Sequence, residues 1–254
     1  MRKNIILTGL PHSGKSTLLL NLLKKIHYRE NALITKEILE EDKRVGFIIQ
    51  IPIPFDSINS TNSVIAHVDF SKKNQVGKYG VNVGEIDFWA SKYLDYLDKI
   101  SRDYSGEFST SVNFLDEVGQ MQLFSKVFKT LIQEILFSDK TSILTLSSVY
   151  NDVFTDVIRK RRDIILLEVT PENRNELLAF VPILVQKIEK AKGYIFEPDR
   201  FKQIDDWIEM ESTHGKRKVD LHNKTCTCNF FSQYKKYKFC SHILACEEFF
   251  SFRN

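Results

Sequence analysis

The chain has 254 residues, with 43% hydrophobic and 27% charged side chains and a formal net charge of +3. These values are ordinary for a globular protein and exclude disorder over most of the chain. No apolar run reaches the roughly 18 residues that a membrane span requires, and the apolar stretch near the N-terminus breaks at Gly9. We therefore expect no signal peptide and no membrane partner, and we place the protein in the cytoplasm.

Positive charge and cysteine are both concentrated near the C-terminus. Residues 214–254 hold eight Lys or Arg and three Asp or Glu, a net charge of +5, whereas the rest of the chain carries −2. All four cysteines lie between residues 226 and 246. In a reducing compartment, clustered cysteines favour metal binding over disulfides. The composition thus predicts a neutral-to-acidic main domain followed by a small basic module.

Along the main domain, apolar runs alternate with amphipathic stretches. Asn4–Thr8 predicts a buried strand, followed by a glycine-bracketed turn and a helix over 16–26. The later patterns predict an antiparallel hairpin (32–39 and 45–52), a loop (53–63), strands (64–70, 112–115, 142–146, 164–169) and helices (85–102, 120–137, 152–161). This alternation predicts an α/β fold with a mostly parallel sheet and an inserted antiparallel hairpin.

The region after residue 169 predicts a change of organisation. Thr170-Pro171-Glu172 has an N-cap residue, a proline at the first position and an acidic residue, so we expect a helix to start there. Pro182 interrupts this pattern, Gly193 ends the stretch after that proline, and 200–211 predicts a further helix. We therefore divide the chain into a main domain (1–180), a helical connection (181–212) and a cysteine module (213–254).

The turn after the first strand fits the P-loop pattern, in which two glycines bracket four residues and the second is followed by Lys15 and Ser16. Its glycines allow backbone N–H groups to point at a β-phosphate, and the following helix N-terminus favours the anion. Lys15 would reach the β- and γ-phosphates, and the hydroxyl of Ser16 would bind Mg²⁺. The candidate nucleotide-binding residues of this loop are Gly9, Pro11, His12, Ser13, Gly14, Lys15, Ser16 and Thr17.

A P-loop requires a second element, a strand that ends in a carboxylate and completes the Mg²⁺ site. The strand over 112–115 leads into Asp116 and Glu117. We expect Asp116 to hold Mg²⁺ through water, and Glu117 to act as the general base that polarises the attacking water. Lys15 and Glu117 are therefore the candidate catalytic residues.

Several segments of the main domain occur in the order typical of one family. They are the P-loop, Thr35-Lys36-Glu37 with Lys43-Arg44-Val45-Gly46-Phe47, Val76-Gly77-Lys78-Tyr79-Gly80-Val81, Asp116-Glu117-Val118-Gly119-Gln120-Met121-Gln122-Leu123, and Val169-Thr170-Pro171-Glu172-Asn173-Arg174. In these segments the chain resembles the thermophilic-type, or cancer-related, nucleoside-triphosphatases. The resemblance implies a P-loop NTPase fold and slow Mg²⁺-dependent hydrolysis of ATP, GTP and other nucleoside triphosphates, with little selectivity for the base.

Two arginines and one histidine are further candidates near the phosphates. Arg44 and Arg174 lie in the family segments and are candidates to stabilise charge on the γ-phosphate. A single arginine can equally be solvated on the surface. Arg174 is included among the nucleotide-binding candidates. His12 lies inside the P-loop, where its side chain can face either the phosphate or the solvent.

The cysteine module contains the pattern Cys-x-Cys, eleven residues, then Cys-x-His, which is suited to a closed tetrahedral zinc site. We expect short strands at 219–221 and 229–232 and a helix at 241–249. The pattern is similar to the SWIM zinc-finger family, which implies Cys226, Cys228, Cys240 and His242 as ligands. Cys246 lies four residues after His242 and could compete with it; because the family has histidine at that place, we assign Cys246 to the core.

Basic and aromatic residues alternate around these cysteines, so nucleic-acid binding, protein binding and a purely structural role all remain open. The sequence as a whole predicts a nucleoside-triphosphatase that uses Mg²⁺ and carries a zinc-bound adaptor. Two alternatives are kept: a nucleotide-gated recruitment switch that acts on nucleic acid, and a small-molecule kinase.

Overall fold

The computed structural model describes residues 1, 3–26, 30–51, 62–101 and 112–251. Most of the loop that the sequence predicts at 53–63 lies outside these residues. The described helices are α1 (Lys15–Lys25), α2 (Val83–Ser101), α3 (Lys126–Phe137), α4 (Val153–Lys160), α5 (Arg174–Ile195), α6 (Asn229–Tyr234) and α7 (Ser241–Ser251).

A nine-stranded mixed sheet forms the centre of the main domain. Its strands are β1 (Asn4–Gly9), β2 (Glu30–Glu40), β3 (Lys43–Gln50), β4 (Asn62–His67), β5 (Gln75–Val76), β6 (Tyr79–Val81), β7 (Val112–Val118), β8 (Ser142–Ser147) and β9 (Ile164–Glu168). Their spatial order is β5-β6-β4-β3-β2-β7-β8-β1-β9.

The strands β2, β7, β8, β1 and β9 are parallel, whereas β3 to β6 extend the sheet in antiparallel pairs. The antiparallel β2–β3 hairpin confirms the prediction from the charged turn at 40–44. Parallel strands end at the same edge, so β1, β7 and β8 bring their carboxyl ends together where a ligand site is expected.

Helices cover both faces of this sheet, because successive side chains of a buried strand point to opposite sides. On β1, Ile5 and Leu7 pack with residues of α1 and α5, whereas Ile6 packs with residues of α2 and α3. The apolar runs of the parallel strands are thereby buried on both faces. The predicted α/β architecture is confirmed for the main domain. The sheet is mixed rather than mostly parallel, because the antiparallel strands β3 to β6 extend it where the sequence predicted one inserted hairpin.

The helix α5 differs from its prediction at both ends and in its middle. It starts at Arg174 rather than at Thr170, and it runs through Pro182 and Gly193 to Ile195. A proline inside a helix removes one backbone hydrogen bond, but the buried residues on either side of Pro182 hold this helix against the sheet. The proposed boundary near residue 180 therefore falls within a continuous helix, and the division of the chain into domains stays a prediction.

The region after α5 forms a second, antiparallel sheet instead of the predicted helix over 200–211. Its strands are β10 (Phe201–Ile204), β11 (Trp207–Ser212), β12 (Gly215–Asp220) and β13 (Thr225–Cys226), in that order. The predicted strand at 229–232 is also wrong, because these residues lie in α6. The predicted helix at 241–249 is confirmed by α7.

The C-terminal sheet and α7 pack directly on α5. One continuous hydrophobic cluster runs from Ile5 of the main sheet through Val181 of α5 to Met210, Val219 and Leu244 of the C-terminal region. The cysteine module is thus attached to the main domain along α5 through buried apolar contacts. Among the described residues, no helix is both long enough and apolar enough to cross a membrane.

Candidate active site and cysteine cluster

The loop between β1 and α1 curls tightly around its own backbone. A Cβ atom built on Gly9 would lie 2.5 Å from the carbonyl oxygen of Val169, so a side chain does not fit there. Gly14 has a φ of +90°, a left-handed conformation that glycine adopts without strain, and it caps the N-terminus of α1. The free N–H groups of this helix terminus form an anion-binding position.

Lys15, the first residue of α1, is buried and folds back over the loop. Its Nζ donates to the carbonyl oxygens of Gly9 at 2.9 Å and Leu10 at 2.8 Å. Burial lowers the pKa of this ammonium, while the nearby carboxylates of Glu117 and Asp116 act in the opposite direction. A buried cation whose hydrogen bonds go to neutral carbonyl groups is suited to bind a polyphosphate.

Asp116 lies near the carboxyl end of β7 and faces the P-loop. Its Oδ1 accepts hydrogen bonds from the hydroxyl of Ser16 at 3.0 Å and from the hydroxyl of Thr145 on β8. Burial raises the pKa of Asp116 to about 7, although the hydrogen bond from Thr145 opposes this shift. The serine and the aspartate that the sequence selected for Mg²⁺ are therefore brought into contact, across 100 residues of sequence.

Glu117, the next residue on β7, is half-buried in the same place. Burial raises its pKa, whereas the positive charges of Lys15 and Arg44 lower it. A Cβ atom built on Gly119 would lie 2.6 Å from Oε1 of Glu117. The absence of a side chain at Gly119 thus leaves room for this carboxylate, which is the group predicted to activate water.

Both candidate arginines lie at the site, in different surroundings. Arg44 on β3 forms an ion pair with Glu37 on β2, at 2.6 Å, and donates from Nε to the hydroxyl of Tyr79 at 3.0 Å. Arg174 lies against the P-loop: a Cβ atom built on Gly14 would be 2.6 Å from its Cδ and Nη1.

A cavity of about 810 Å³ is bounded by these groups, which is within the usual size range for small-molecule sites. Of the predicted residues, its walls include Pro11, His12, Gly14, Lys15, Ser16, Thr17, Arg44, Asp116, Glu117 and Arg174. Gly9 and Ser13 are buried in the loop and are not among the lining residues. We therefore assign these two residues to the shape of the loop rather than to a wall of the cavity.

The structure adds residues for which the sequence alone gave no role. Gln122 is buried and its Nε2 donates to the hydroxyl of Thr35 at 3.0 Å, and both residues line the cavity. The Ser147–Tyr150 loop also contributes to the wall, and Arg159 holds it by donating to the carbonyl oxygens of Ser147 and Tyr150. A single polar residue in a strand or loop gives no signal in the sequence that it is buried at a site.

The four predicted zinc ligands come together in the C-terminal region. Cys226, Cys228, Cys240 and His242 are all buried, and their candidate ligand atoms lie within 4.8 Å of one another. Zn–S bonds of about 2.3 Å in a tetrahedron place the sulfur atoms roughly 3.7 Å apart. The cluster is therefore compact enough for a single metal ion, and its three thiols and one imidazole are the ligands that zinc prefers.

The thiols of this cluster accept hydrogen bonds from backbone N–H groups and from one another. The backbone N–H of Phe231 donates to Sγ of Cys228 at 3.4 Å, and that of Ile243 donates to Sγ of Cys240 at 3.5 Å. Hydrogen bonds from Cys226 and Cys240 lower the pKa of the Cys228 thiol, whereas the same hydrogen bonds raise the pKa values of the two donors. The cluster therefore stabilises one thiolate, at Cys228, which is the form in which cysteine binds metals.

Cys246 does not belong to the cluster. Its thiol is fully buried and lies 3.9 Å from Sδ of Met210, and burial raises its pKa. This environment fits the assignment of Cys246 to the core.

Several aromatic side chains of the module face α5 instead of the solvent. The ring of Tyr237 stacks on that of Phe180 at 3.9 Å between centroids, and Phe230 and Tyr234 surround the same ring. These three side chains are occupied in packing, which favours the structural interpretation for them. Lys235, Lys236 and Lys238 in the same stretch are exposed.

Comparison with known proteins gives consistent matches over the main domain. A family model described as NTPase matches residues 4–181. The chain is 32% identical to Nucleoside-triphosphatase THEP1 of Methanocaldococcus jannaschii over 176 residues, which are 68% of this chain and 91% of that protein. It is 27% identical to Cancer-related nucleoside-triphosphatase of Homo sapiens over 201 residues, which are 75% of this chain and 100% of that protein.

Solved structures agree with these matches. The crystal structure of THEP1 from the hyperthermophile Aquifex aeolicus has a TM-score of 0.60 and 28% identity, covering 72% of this chain and 99% of that chain. The solution structure of a human cancer-related nucleoside triphosphatase has a TM-score of 0.58 and 26% identity, covering 72% and 97%. The family match ends before the cysteine cluster.

Proposed function

Because this chain belongs to the NTPase family, as the motif segments of its main domain predicted, we propose that it hydrolyses nucleoside triphosphates to nucleoside diphosphates and phosphate. The observation that carries this proposal is the contact between Ser16 of the P-loop and Asp116 of β7, 3.0 Å apart. This contact joins a phosphate-binding loop to a buried carboxylate, the pairing that Mg²⁺-dependent phosphoryl transfer requires.

In the proposed mechanism the P-loop binds the β- and γ-phosphates. The N–H groups at the start of α1 face the anion, and Nζ of Lys15 exchanges its two carbonyl acceptors for phosphate oxygens. Ser16 and Asp116 would hold Mg²⁺, which neutralises negative charge on the phosphates when bound. The donor set fits this ion, since Mg²⁺ prefers oxygen ligands.

Hydrolysis itself needs a water molecule that attacks the γ-phosphorus. Glu117 accepts a proton from that water, the new P–O bond forms, and the bond between the γ-phosphorus and the β–γ bridging oxygen breaks. The nucleoside diphosphate leaves with the bridging oxygen. Arg44 and Arg174, which both line the cavity, are proposed to offset the charge that develops on the γ-phosphate.

The test of this proposal is multiple-turnover phosphate release from ATP, GTP, CTP and UTP with Mg²⁺ and without any acceptor. We expect release from all four, because the resemblance implies little base selectivity. If turnover requires an added acceptor and the phosphate appears on that acceptor, the protein is a small-molecule kinase instead.

For the C-terminal region we propose a structural zinc site formed by Cys226, Cys228, Cys240 and His242. Support comes from the burial of all four residues, the compactness of the cluster and the N–H groups that face two of the sulfur atoms. Zinc in such a closed site would hold the cysteine-bearing turns to α7 and contribute to folding.

The exposed lysines of the module support an adaptor role, in which the finger binds nucleic acid or an acidic protein surface. The measurement that separates these roles is NTPase activity with and without single- and double-stranded DNA and RNA. Stimulation by nucleic acid, falling steeply with salt, would favour the recruitment switch. If nucleic acid neither binds nor changes the NTPase activity, the module has a role in protein recognition or a structural role instead.

A further inference from the structure

The first turn of α5 lies between the P-loop and the cysteine module. Arg174 and Glu176 are two residues apart in this turn, and residues at that spacing point to opposite sides of a helix. Arg174 lies against Gly14 of the P-loop. Glu176 faces the module, where its carboxylate accepts hydrogen bonds from the hydroxyl of Tyr237, at 2.8 Å, and from the ammonium of Lys236.

This turn has no side-chain cap of its own. Asn173 occupies the N-cap position, but its side chain donates to the carbonyl oxygen of Glu168 and accepts from the N–H of Thr170, so it caps none of the helix N–H groups. A cap stabilises the first turn of a helix, so this turn has one restraint fewer than a capped one. The contacts of Glu176 with the module supply a further restraint, beside the hydrogen bonds that Asn173 makes with Glu168 and Thr170.

The segment that supplies these contacts is itself firmly held. The ring of Tyr237 stacks on Phe180, which is fully buried one turn further along α5. At its two ends, the segment is bounded by Cys228 and Cys240 of the buried cluster. Tyr237 is thus held in place on both sides, so its hydrogen bond to Glu176 can restrain the first turn of α5.

From this geometry we infer that Tyr237 and Glu176 are positioning residues for hydrolysis: together they hold the first turn of α5 so that Arg174 stays over the phosphate site. The inference rests on the proposed function, and in particular on the role of Arg174 toward the γ-phosphate. It makes the C-terminal module part of the catalytic apparatus without placing any of its atoms in the cavity.

The decisive variant is Tyr237→Phe, which removes the hydroxyl that contacts Glu176 and keeps the ring that stacks on Phe180. A second variant, Glu176→Ala, removes both contacts with the module while keeping a strong helix former. The matched control is Lys216→Met, which removes an ion pair between Lys216 on β12 and Glu209 on β11, two neighbouring strands of the C-terminal sheet. Metal content and melting temperature are measured for each variant.

We expect kcat for ATP hydrolysis to fall about 10-fold in Tyr237→Phe and Glu176→Ala, since small misplacements of a catalytic group cost up to about 100-fold in rate. KM should change less, because the affected contact strengthens in the transition state. Lys216→Met should retain the wild-type kcat.

A double-mutant cycle with Arg174→Ala distinguishes a positioning role of Tyr237 from a merely structural one. If Tyr237 acts through Arg174, adding Tyr237→Phe to Arg174→Ala should lower kcat no further. Wild-type kcat in both single variants, or an additive loss in the double variant, would overturn the inference.

The same experiment separates this inference from the proposed function. Loss of hydrolysis in Lys15→Ala together with wild-type behaviour of Arg174→Ala would leave the P-loop as the active site and remove the positioning role. Full activity in Lys15→Ala would instead overturn the proposed function itself.

Discussion

In the proposed mechanism, Lys15 and Glu117 act on different partners in the same cavity, Lys15 on the phosphates and Glu117 on water. Lys15 is buried, and its ammonium donates to the carbonyl oxygens of Gly9 and Leu10 in the loop. Glu117 is half-buried and has a raised pKa. Substitutions at these two residues should therefore separate binding from turnover.

For Lys15→Ala we expect hydrolysis to be lost and triphosphate binding to weaken. Hydrogen bonds to charged groups contribute about 1.5–3 kcal/mol, so affinity should fall by roughly 10- to 150-fold. Phosphate release and titration with a fluorescent nucleotide measure the two effects. A variant with wild-type turnover would mean that the P-loop is not the active site.

For Glu117→Gln we expect binding to survive while turnover falls, because the amide keeps the shape of the side chain but cannot accept the proton from water. Loss of a general base typically costs about 10²- to 10⁴-fold in rate. Nucleotide titration and kcat on the same preparation provide the comparison. A parallel loss of affinity and turnover would count against the role assigned to Glu117.

At the residue scale, the sequence was most informative where chemistry demands a fixed spacing. The P-loop pattern selected Ser16, and the strand over 112–115 selected Asp116; the structure brings them into contact. Thr145 and Gln122 could not be selected in the same way. Each owes its place to burial beside the site, and burial of a single polar residue leaves no pattern in the sequence.

Among the elements, the buried strands and amphipathic helices of the main domain were predictable from their periodicity. The helix proposed for 200–211 was not, because its hairpin turns at Asp205-Asp206 without a glycine, with Asp205 at a φ of +48°. The buried side chains Ile208, Met210 and Ser212 do alternate along the strand. Polarity does not, because Ser212 on the buried face is polar and Trp207 on the other face is apolar, so the strand pattern is incomplete.

The cluster formed by the cysteine-bearing turns and α7 leads to a prediction about which residues bind zinc. Purified protein should contain about one zinc ion per chain, and Cys240→Ser should lose it, because Cys240 lies in the cluster. Cys246→Ser is the matched control: this thiol contacts Met210 in the core, so the variant should keep its zinc. Metal analysis of the three proteins measures this.

The opposite pattern, with zinc kept in Cys240→Ser and lost in Cys246→Ser, would contradict the ligand assignment. Absence of zinc from protein prepared without chelators would exclude the finger altogether.

At the scale of the whole molecule, the module and the main domain share one hydrophobic cluster that passes through α5. A strong chelator should therefore do more than release zinc. We expect residues 214–254 to become sensitive to protease and the apolar face of α5 to bind a hydrophobic dye, since structural zinc contributes directly to folding of small modules.

Limited proteolysis and dye fluorescence, each before and after chelation and after zinc is restored, measure these effects. A module that stays resistant to protease without metal would show that apolar packing on α5 is sufficient to hold it.

The helix α5 has 22 residues, a length of about 33 Å, and its first turn touches both the P-loop and the module. Coupling between two sites through one element is reciprocal: the factor by which one ligand changes the affinity for the other is the same in both directions. To the extent that the module, by holding Arg174, raises the affinity for a triphosphate, a bound triphosphate must tighten the hold of the module on α5 by the same factor. Nucleotide occupancy would then change how firmly the module is held, and with it the position of the exposed lysines Lys235, Lys236 and Lys238.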